Sequence, residues 1–373
     1  MIREGDRSII GKTGLTERFY LCNRLGVRAF LTLLACLLVA AVEFVTLPRH
    51  AVAEIPDGRH FSFTYELEVG PVPEGEGPID VFLPIARSDP HQDVLSHEVK
   101  ASIPGREETE TTYGNRFWHG HLERSKGRAI TVTTTYRVRR HVFHRNRLAE
   151  IAGSSYTAEE KREHALFLEA NRRVPVSGEL VESIVREIAP GETSLVRIAR
   201  ATYDYVIDNM EYKKVGTGWG NGDTYWACSA KYGNCTDFHA LFTSLVRARG
   251  IPARFEIGFP VPMDRPGGEI GGYHCWVEFY LPEVGWVPID ASAAKKRPEM
   301  RDLFFGTHFA DRIKFSVGRD LELGEGHRTG PLNYFVYPHV ELGGKPYGEI
   351  KRRFAFSELD RELAALPDST RPR

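Results

Sequence analysis

A cysteine at the start of an apolar helix constrains this chain more than any other feature in it. Gly233-Asn234 precedes Cys235, and Phe238, Leu241, Phe242, Leu245 and Val246 then recur at three- and four-residue steps, the spacing of one buried helix face. The spacing predicts a helix that opens at Cys235 and closes at Gly250, which suits a left-handed C-terminal cap, ahead of Pro252, which cannot continue it. A thiol in a first helical turn feels the positive end of the helix dipole and amide N–H groups that lack an intrahelical partner, and both favour thiolate. The same N–H groups can receive the oxyanion formed when a thiolate attacks a carbonyl.

A histidine and a carboxylate follow. From His274 to Leu281 the period-two pattern puts His274, Trp276, Glu278 and Tyr280 on one strand face and Cys275, Val277, Phe279 and Leu281 on the other. Pro282-Glu283-Val284-Gly285 reads as a turn, and residues 286–290 as the returning strand with Val287 and Ile289 inward. A hairpin that keeps its apolar faces together gives Asp290 the face of His274. A carboxylate on one imidazole nitrogen turns the other toward the thiol, as nucleophilic catalysis requires.

Cys235, His274 and Asp290, with the Gly-x-Cys-x-Asp run, Gly250-Ile251-Pro252-Ala253-Arg254, His-x-Trp and Gly-Trp-Val-Pro-x-Asp, resemble the transglutaminase-like superfamily of papain-fold cysteine enzymes, particularly its secreted bacterial members. The resemblance covers roughly residues 195–292. It implies Cys235 as nucleophile, His274 as general base and acid, and Asp290 as the orienting carboxylate. It also implies an oxyanion-side aromatic or amide upstream of the cysteine, for which Trp219, Trp226 and Asn234 are the candidates.

The 373 residues are 42% hydrophobic and 27% charged, with a formal net charge of -1, room for two domains and a sizeable core. So even a balance argues against a nucleic-acid partner held by a basic field. Residues 1–28 carry Arg3, Arg7, Lys12, Arg18, Arg24 and Arg28, then an apolar run from Ala29 to Val42, and Ala51-Val52-Ala53 follows. That order reads as an export signal cut after Ala53. The other reading is an uncleaved membrane anchor, although spanning takes about 20 apolar residues. Either puts the rest of the chain outside the cytoplasm, periplasmic or extracellular, and the second adds membrane association through the apolar segment. Cleavage leaves Cys228, Cys235 and Cys275, and three cysteines cannot all pair within one chain. Cys235 is the free one on the catalytic reading; Cys228 and Cys275 are either buried apolar residues or a disulfide.

Ahead of the helices, Phe61, Phe63, Tyr65 and Leu67 alternate with Ser62, Thr64 and Glu66, residues 81–83 and 129–138 look similar, and turn-rich segments separate them; several short strands of this kind read as a β-sandwich. His91, His97, His119 and His121 in this region read as scattered surface histidines rather than a ligand set. Thr157-Ala158-Glu159-Glu160 has the pattern of a capping box, and further helices are expected to start at Ser177 and Thr193. Residues 211–231, glycine-rich and aromatic, and residues 260–272, Pro/Gly-rich, are the expected walls of a cleft.

The expected architecture is α+β: a signal or anchor over residues 1–53, an all-β sandwich domain over 58–146, a papain-like transglutaminase-core catalytic domain over 155–300, and a C-terminal β extension over 301–360 that lengthens the catalytic sheet or docks on the sandwich. The expected chemistry is cysteine-dependent acyl transfer on protein or peptide amides through a thioester. No cofactor is expected, and no metal, since no calcium loop of the Asp-x-Asp-x-Asp-Gly kind appears. Water as acceptor makes a peptidase or amidase, and an amine makes a transamidase. A catalytically silent envelope or binding protein on the same fold is the competing expectation.

Overall fold

The computed structural model describes residues 58–145, Leu148 and residues 155–359, which fall within one compact unit. The expected signal or anchor, residues 1–53, lies outside the described residues. Among the described residues no helix is long and apolar enough to cross a membrane.

Alternation builds the first sheet. In Gly58–Val69 every second residue from Phe61 to Val69 is buried, and the polar residues between are half-buried. This strand is third in a five-stranded sheet ordered Gly267–Glu269, Ile350–Glu358, Gly58–Val69, Ile130–His141, Gln92–Ala101, with Phe63 opposite Phe356 on one side and Tyr136 on the other. The second sheet centres on Ile79–Ile85, buried at every position, and runs Lys345–Pro346, His339–Leu342, Ile79–Ile85, Arg116–Leu122, Gly105–Thr109. A third sheet, Gly285–Ile289, His274–Leu281, Ala253–Pro260, Arg312–Val317, carries the cysteine region.

Side chains of all three sheets meet in one buried cluster. Phe259 of the third sheet lies 4.2 Å from Phe354 of the first and 5.4 Å from Phe315, ring centre to ring centre, and Tyr65 lies 4.7 Å from Phe354. Each such pair is worth about 0.5–1.5 kcal/mol beyond the area it buries. The strands expected over residues 301–360 form, and they are divided among the sheets: Arg312–Val317 extends the third, His339–Leu342 enters the second and Ile350–Glu358 the first.

The helices follow their caps. Thr157 and Glu160 form the expected reciprocal capping box, but the helix covers only Ala158–Glu163. Glu179–Glu187 and Leu195–Asn209 are capped at Gly178 and Ser194, one residue after the expected Ser177 and Thr193. Part of the segment expected to be a cleft wall is instead the Thr224–Ala230 helix, where Asp223 accepts the Trp226 N–H at 3.1 Å.

Candidate active site

The Cys235–Ala248 helix opens at the cysteine, and Gly250 follows it at φ +73°. Asn234 is the N-cap, and its Oδ1 accepts the Thr236 N–H at 2.9 Å. Asp237 completes a capping box that the sequence reading passed over, although Asn-x-x-Asp before an apolar stripe is its signature. Its fully buried carboxylate accepts the N–H groups of Asn234 at 2.9 Å, Gly220 at 2.7 Å and Gly222 at 2.9 Å. One side chain thereby ties the glycine-rich loop to the turn that holds Cys235. Burial raises the Asp237 pKa against those three donors.

Hairpin register brings the histidine and carboxylate together. Val277 pairs with Ile289 and Tyr280 with Trp286, so Asp290 falls on the His274 face. His274 Nε2 lies 2.6 Å from Asp290 Oδ2. Asp290 also caps the Ala291–Lys296 helix, its Oδ1 accepting from Ala293 N at 2.9 Å and Ser292 Oγ at 3.0 Å. Arg312 Nη1 reaches Oδ2 at 3.3 Å while its guanidinium stands 4.9 Å over the Trp276 ring. The Asp290 carboxylate is 1% exposed and held by four donors, which fixes the plane in which His274 sits. Arg312 carries no local signal in the sequence, because it arrives from a strand beyond the motif.

With Nε2 on Asp290, Nδ1 of His274 is the nitrogen left for the Cys235 thiol, which interacts with the ring. Burial opposes ionisation of Cys235, but hydrogen bonds from Cys275 and His274, and the charge of the imidazoles, hold its pKa well below the usual thiol range. Burial likewise disfavours the His274 cation, but Asp290 and Cys235 together raise it to about 9. Despite burial, Asp290 is held well below the usual carboxylate range by His274 and Arg312. The two shifts favour the same charge-separated form, thiolate on Cys235 and imidazolium on His274.

Cys228, Cys235 and Cys275 are all free thiols, so the disulfide alternative for Cys228 and Cys275 is not what forms. Cys275 is fully buried, as its strand face requires, yet it is not outside the site: its thiol interacts with the Cys235 thiol and lies 3.4 Å from His239 Nδ1. His239, one helical turn past Cys235, places Nε2 3.6 Å from Asp290 Oδ1. Burial pushes His239 down to about 4, which keeps it neutral beneath the ion pair.

The three upstream candidates have partners close by. Trp219 donates its indole N–H to Gly216 O at 3.1 Å, and Trp226 packs edge-on against Tyr232 at 5.2 Å. Asn234 spends its amide on Tyr273 Oη at 2.8 Å, and Tyr273 Oη lies 2.7 Å from Thr236 Oγ1. These side chains shape the loop and helix start. A cleft of about 570 Å³ opens at His274; Tyr212 and Lys214 line one side, Pro260, Gly271 and Gly272 another, and Lys296, Arg297 and Arg312 a third. The 260–272 wall is where the sequence put it, whereas the 211–231 segment contributes only its beginning.

Fold and site together define a cysteine-enzyme fold of the α+β class. Residues 182–291 match the family model of the transglutaminase-like superfamily. An uncharacterized protein of Haemophilus influenzae is 26% identical over 363 residues, 84% of this chain and 95% of the relative. Among solved structures, a candidate cysteine protease from Cytophaga hutchinsonii superimposes with a TM-score of 0.53 at 16% identity, over 81% of this chain and 98% of that one. The periplasmic domain of TgpA from Pseudomonas aeruginosa overlaps at a TM-score of 0.30 and 16% identity, over 65% of this chain and 90% of that one. Residues 182–291 are thus a transglutaminase-like core domain within this chain.

Proposed function

We propose that this protein catalyses cysteine-dependent acyl transfer on protein or peptide amides outside the cytoplasm, with hydrolysis as the default outcome. The observation that carries the reading is the His274–Asp290 hydrogen bond beside an open cleft, with the Cys235 thiol at a helix N-terminus and electrostatically linked to the same imidazole. The Cys235 thiolate attacks the amide carbonyl, and the oxyanion is received by the backbone N–H of Cys235 in the first helical turn. Trp219 gives its indole N–H to Gly216 O and Asn234 its amide to Tyr273 Oη. His274 gives its proton to the leaving amine, and a thioester remains. It then takes a proton from water, or from an amine, as that acceptor attacks and the thiolate departs. No metal or cofactor enters these steps. The cleft sets Lys214, Lys296 and Arg297 against Asp311, which favours substrates with acidic residues near the reacting amide.

The test is the rate of Cys235 alkylation by iodoacetamide against pH on the full chain, read by mass spectrometry of the Cys235 peptide. Cys228, pushed up to about 11 by burial, is a poor competitor. The expected result is reaction well below the ordinary thiol value of about 8.5, lost in His274→Ala. A rate that rises only near that value, with or without His274, would leave a silent scaffold as the better reading.

A further inference from the structure

Of the four histidines expected to scatter over the β region, two come together. His91 and His97 stay apart, with His91 3.8 Å from Glu278 and His97 2.7 Å from Glu107, but His119 and His121 converge on one carboxylate oxygen. The reason is register: in Arg116–Leu122 they stand two residues apart on one face, and Asp80 pairs with His121 on the neighbouring strand. His119 Nε2 lies 2.8 Å and His121 Nδ1 2.7 Å from Asp80 Oδ1, and one ligand atom from each of the three residues lies within 4.8 Å of the others.

The outer nitrogens decide what this means. His119 Nδ1 faces Glu108 Oε1 at 3.0 Å, and His121 Nε2 faces Glu123 Oε1 at 3.4 Å. A carboxylate only accepts, so with no ion present the rings donate to Asp80 on the inner side as well as to Glu108 and Glu123 on the outer side. An ion at the centre takes the place of the inner protons, and both inner nitrogens and Asp80 then turn lone pairs toward it. The outer N–H groups stay on Glu108 and Glu123, the outer-shell arrangement that orients metal-binding histidines. Phe82 stacks on His119 at 4.5 Å and 11°, which holds its ring plane. Gly326, at φ +84°, leaves open a space where a Cβ would come within 2.8 Å of Asp80 Oδ1 and 3.0 Å of His119 Nε2.

We propose that Asp80, His119 and His121 bind a divalent transition-metal ion, zinc first, at a site on the second sheet that shares no residue with the Cys235 centre. Two imidazoles and one carboxylate suit zinc, with water completing the shell. Glu108 and Glu123 fix the tautomers, and Gly326 leaves room for the ion beneath its loop. The neighbouring His327, His339 and Glu341 form another such grouping, but Glu341 is taken up by the N–H groups of Arg328 and Thr329 at 3.0 and 3.2 Å and by Thr329 Oγ1 at 3.0 Å. That group anchors the loop.

The test is titration of the full chain with zinc after chelator treatment, in a Cys235→Ala background so that the thiolate cannot take the ion. Cobalt is used as a spectroscopic stand-in. The expected result is one ion per chain, a cobalt spectrum without a thiolate charge-transfer band, and binding weakened at least about tenfold by His121→Ala and by Glu108→Gln. His121 is half exposed, with 44% of its side chain accessible, so its substitution leaves the fold in place, and Gly326→Ala obstructs the ion without removing a ligand. Absence of zinc uptake, uptake indifferent to His121→Ala, or uptake lost only in His339→Ala would each overturn the assignment.

Discussion

His274 and His308 belong to the same region of the fold and meet the same kind of partner, yet they are driven in opposite directions. His274 Nε2 lies 2.6 Å from Asp290, and His308 Nε2 lies 2.9 Å from Glu278, which is on the same strand as His274. The His308 ring is buried and the His274 side chain is 13% exposed, and loss of water alone would strip the proton from each. His274 has Asp290 and the Cys235 thiolate as two anionic neighbours, which overcome burial. His308 is pushed well below the ordinary histidine value by burial and by Arg140 and Arg312. Its carboxylate is already claimed by Arg254 at 2.8 Å, and Glu256 beside it by Lys314 at 3.0 Å and by the Trp276 indole at 2.7 Å. A carboxylate contact therefore does not make an imidazolium; the local sum of charge does. One cluster sets its imidazole between a carboxylate and a thiol and opens on a cleft, while the other closes its charges on one another and braces the sheet.

The contrast breaks most directly at the nucleophile. Cys235→Ala should lower amide hydrolysis or amine incorporation, measured on an unfolded protein substrate, by about a thousandfold or more, whereas His308→Gln should lower the thermal midpoint and spare the reaction. A comparable loss of turnover in both would erase the distinction. Next in size, Asp290→Asn should cost about 10²–10⁴ in kcat/KM, because the amide offers His274 the wrong partner for its imidazolium; near-normal turnover would mean that Arg312 and the helix cap, rather than the carboxylate, set the ring. Cys275→Ala removes one hydrogen bond to the thiolate and should slow Cys235 alkylation about two- to tenfold at acid pH, with the rates converging above neutrality.

The smallest effects lie in stability against pH. The folded pKa of His274 is raised to about 9, so its contribution is complete below the unfolded value of about 6.5 and is lost as pH rises through about 9. The His308 value is depressed, so its contribution holds above about 6.5 and is lost as pH falls below that. Thermal midpoints measured from pH 5 to 10 should show a flatter alkaline limb in His274→Ala and a flatter acid limb in His308→Gln. The same limb flattening in both variants would show that the two rings are not oppositely biased.

How far the sequence led differs along the chain. The Cys235 helix, its stop at Gly250, the hairpin and the shared face of His274 and Asp290 were legible because each follows from short-range periodicity and turn chemistry. Asp237 was within reach of the same reasoning, as the far half of a capping box. Arg312 and His239 were not, since nothing near Asp290 in sequence announces a guanidinium from a strand twenty-two residues on or a ring on the Cys235 helix. Trp219, Trp226 and Asn234 stand near the cysteine in sequence, but sequence proximity does not say where a donor points: Trp219 serves the backbone of its own glycine-rich loop and Asn234 the Tyr273 hydroxyl.

The sequence by itself determined where the thiol, imidazole and carboxylate stand and which faces they share, because helix and strand periods act over a few residues. Only the tertiary structure decided their charge and the fate of the other histidines. Those depend on which strands pair: Arg312–Val317 beside Ala253–Pro260 brings Arg312 to Asp290, and Ile79–Ile85 beside Arg116–Leu122 gathers His119 and His121 on Asp80. Electrostatic coupling in a buried site falls off with distance in space and takes no account of distance along the chain.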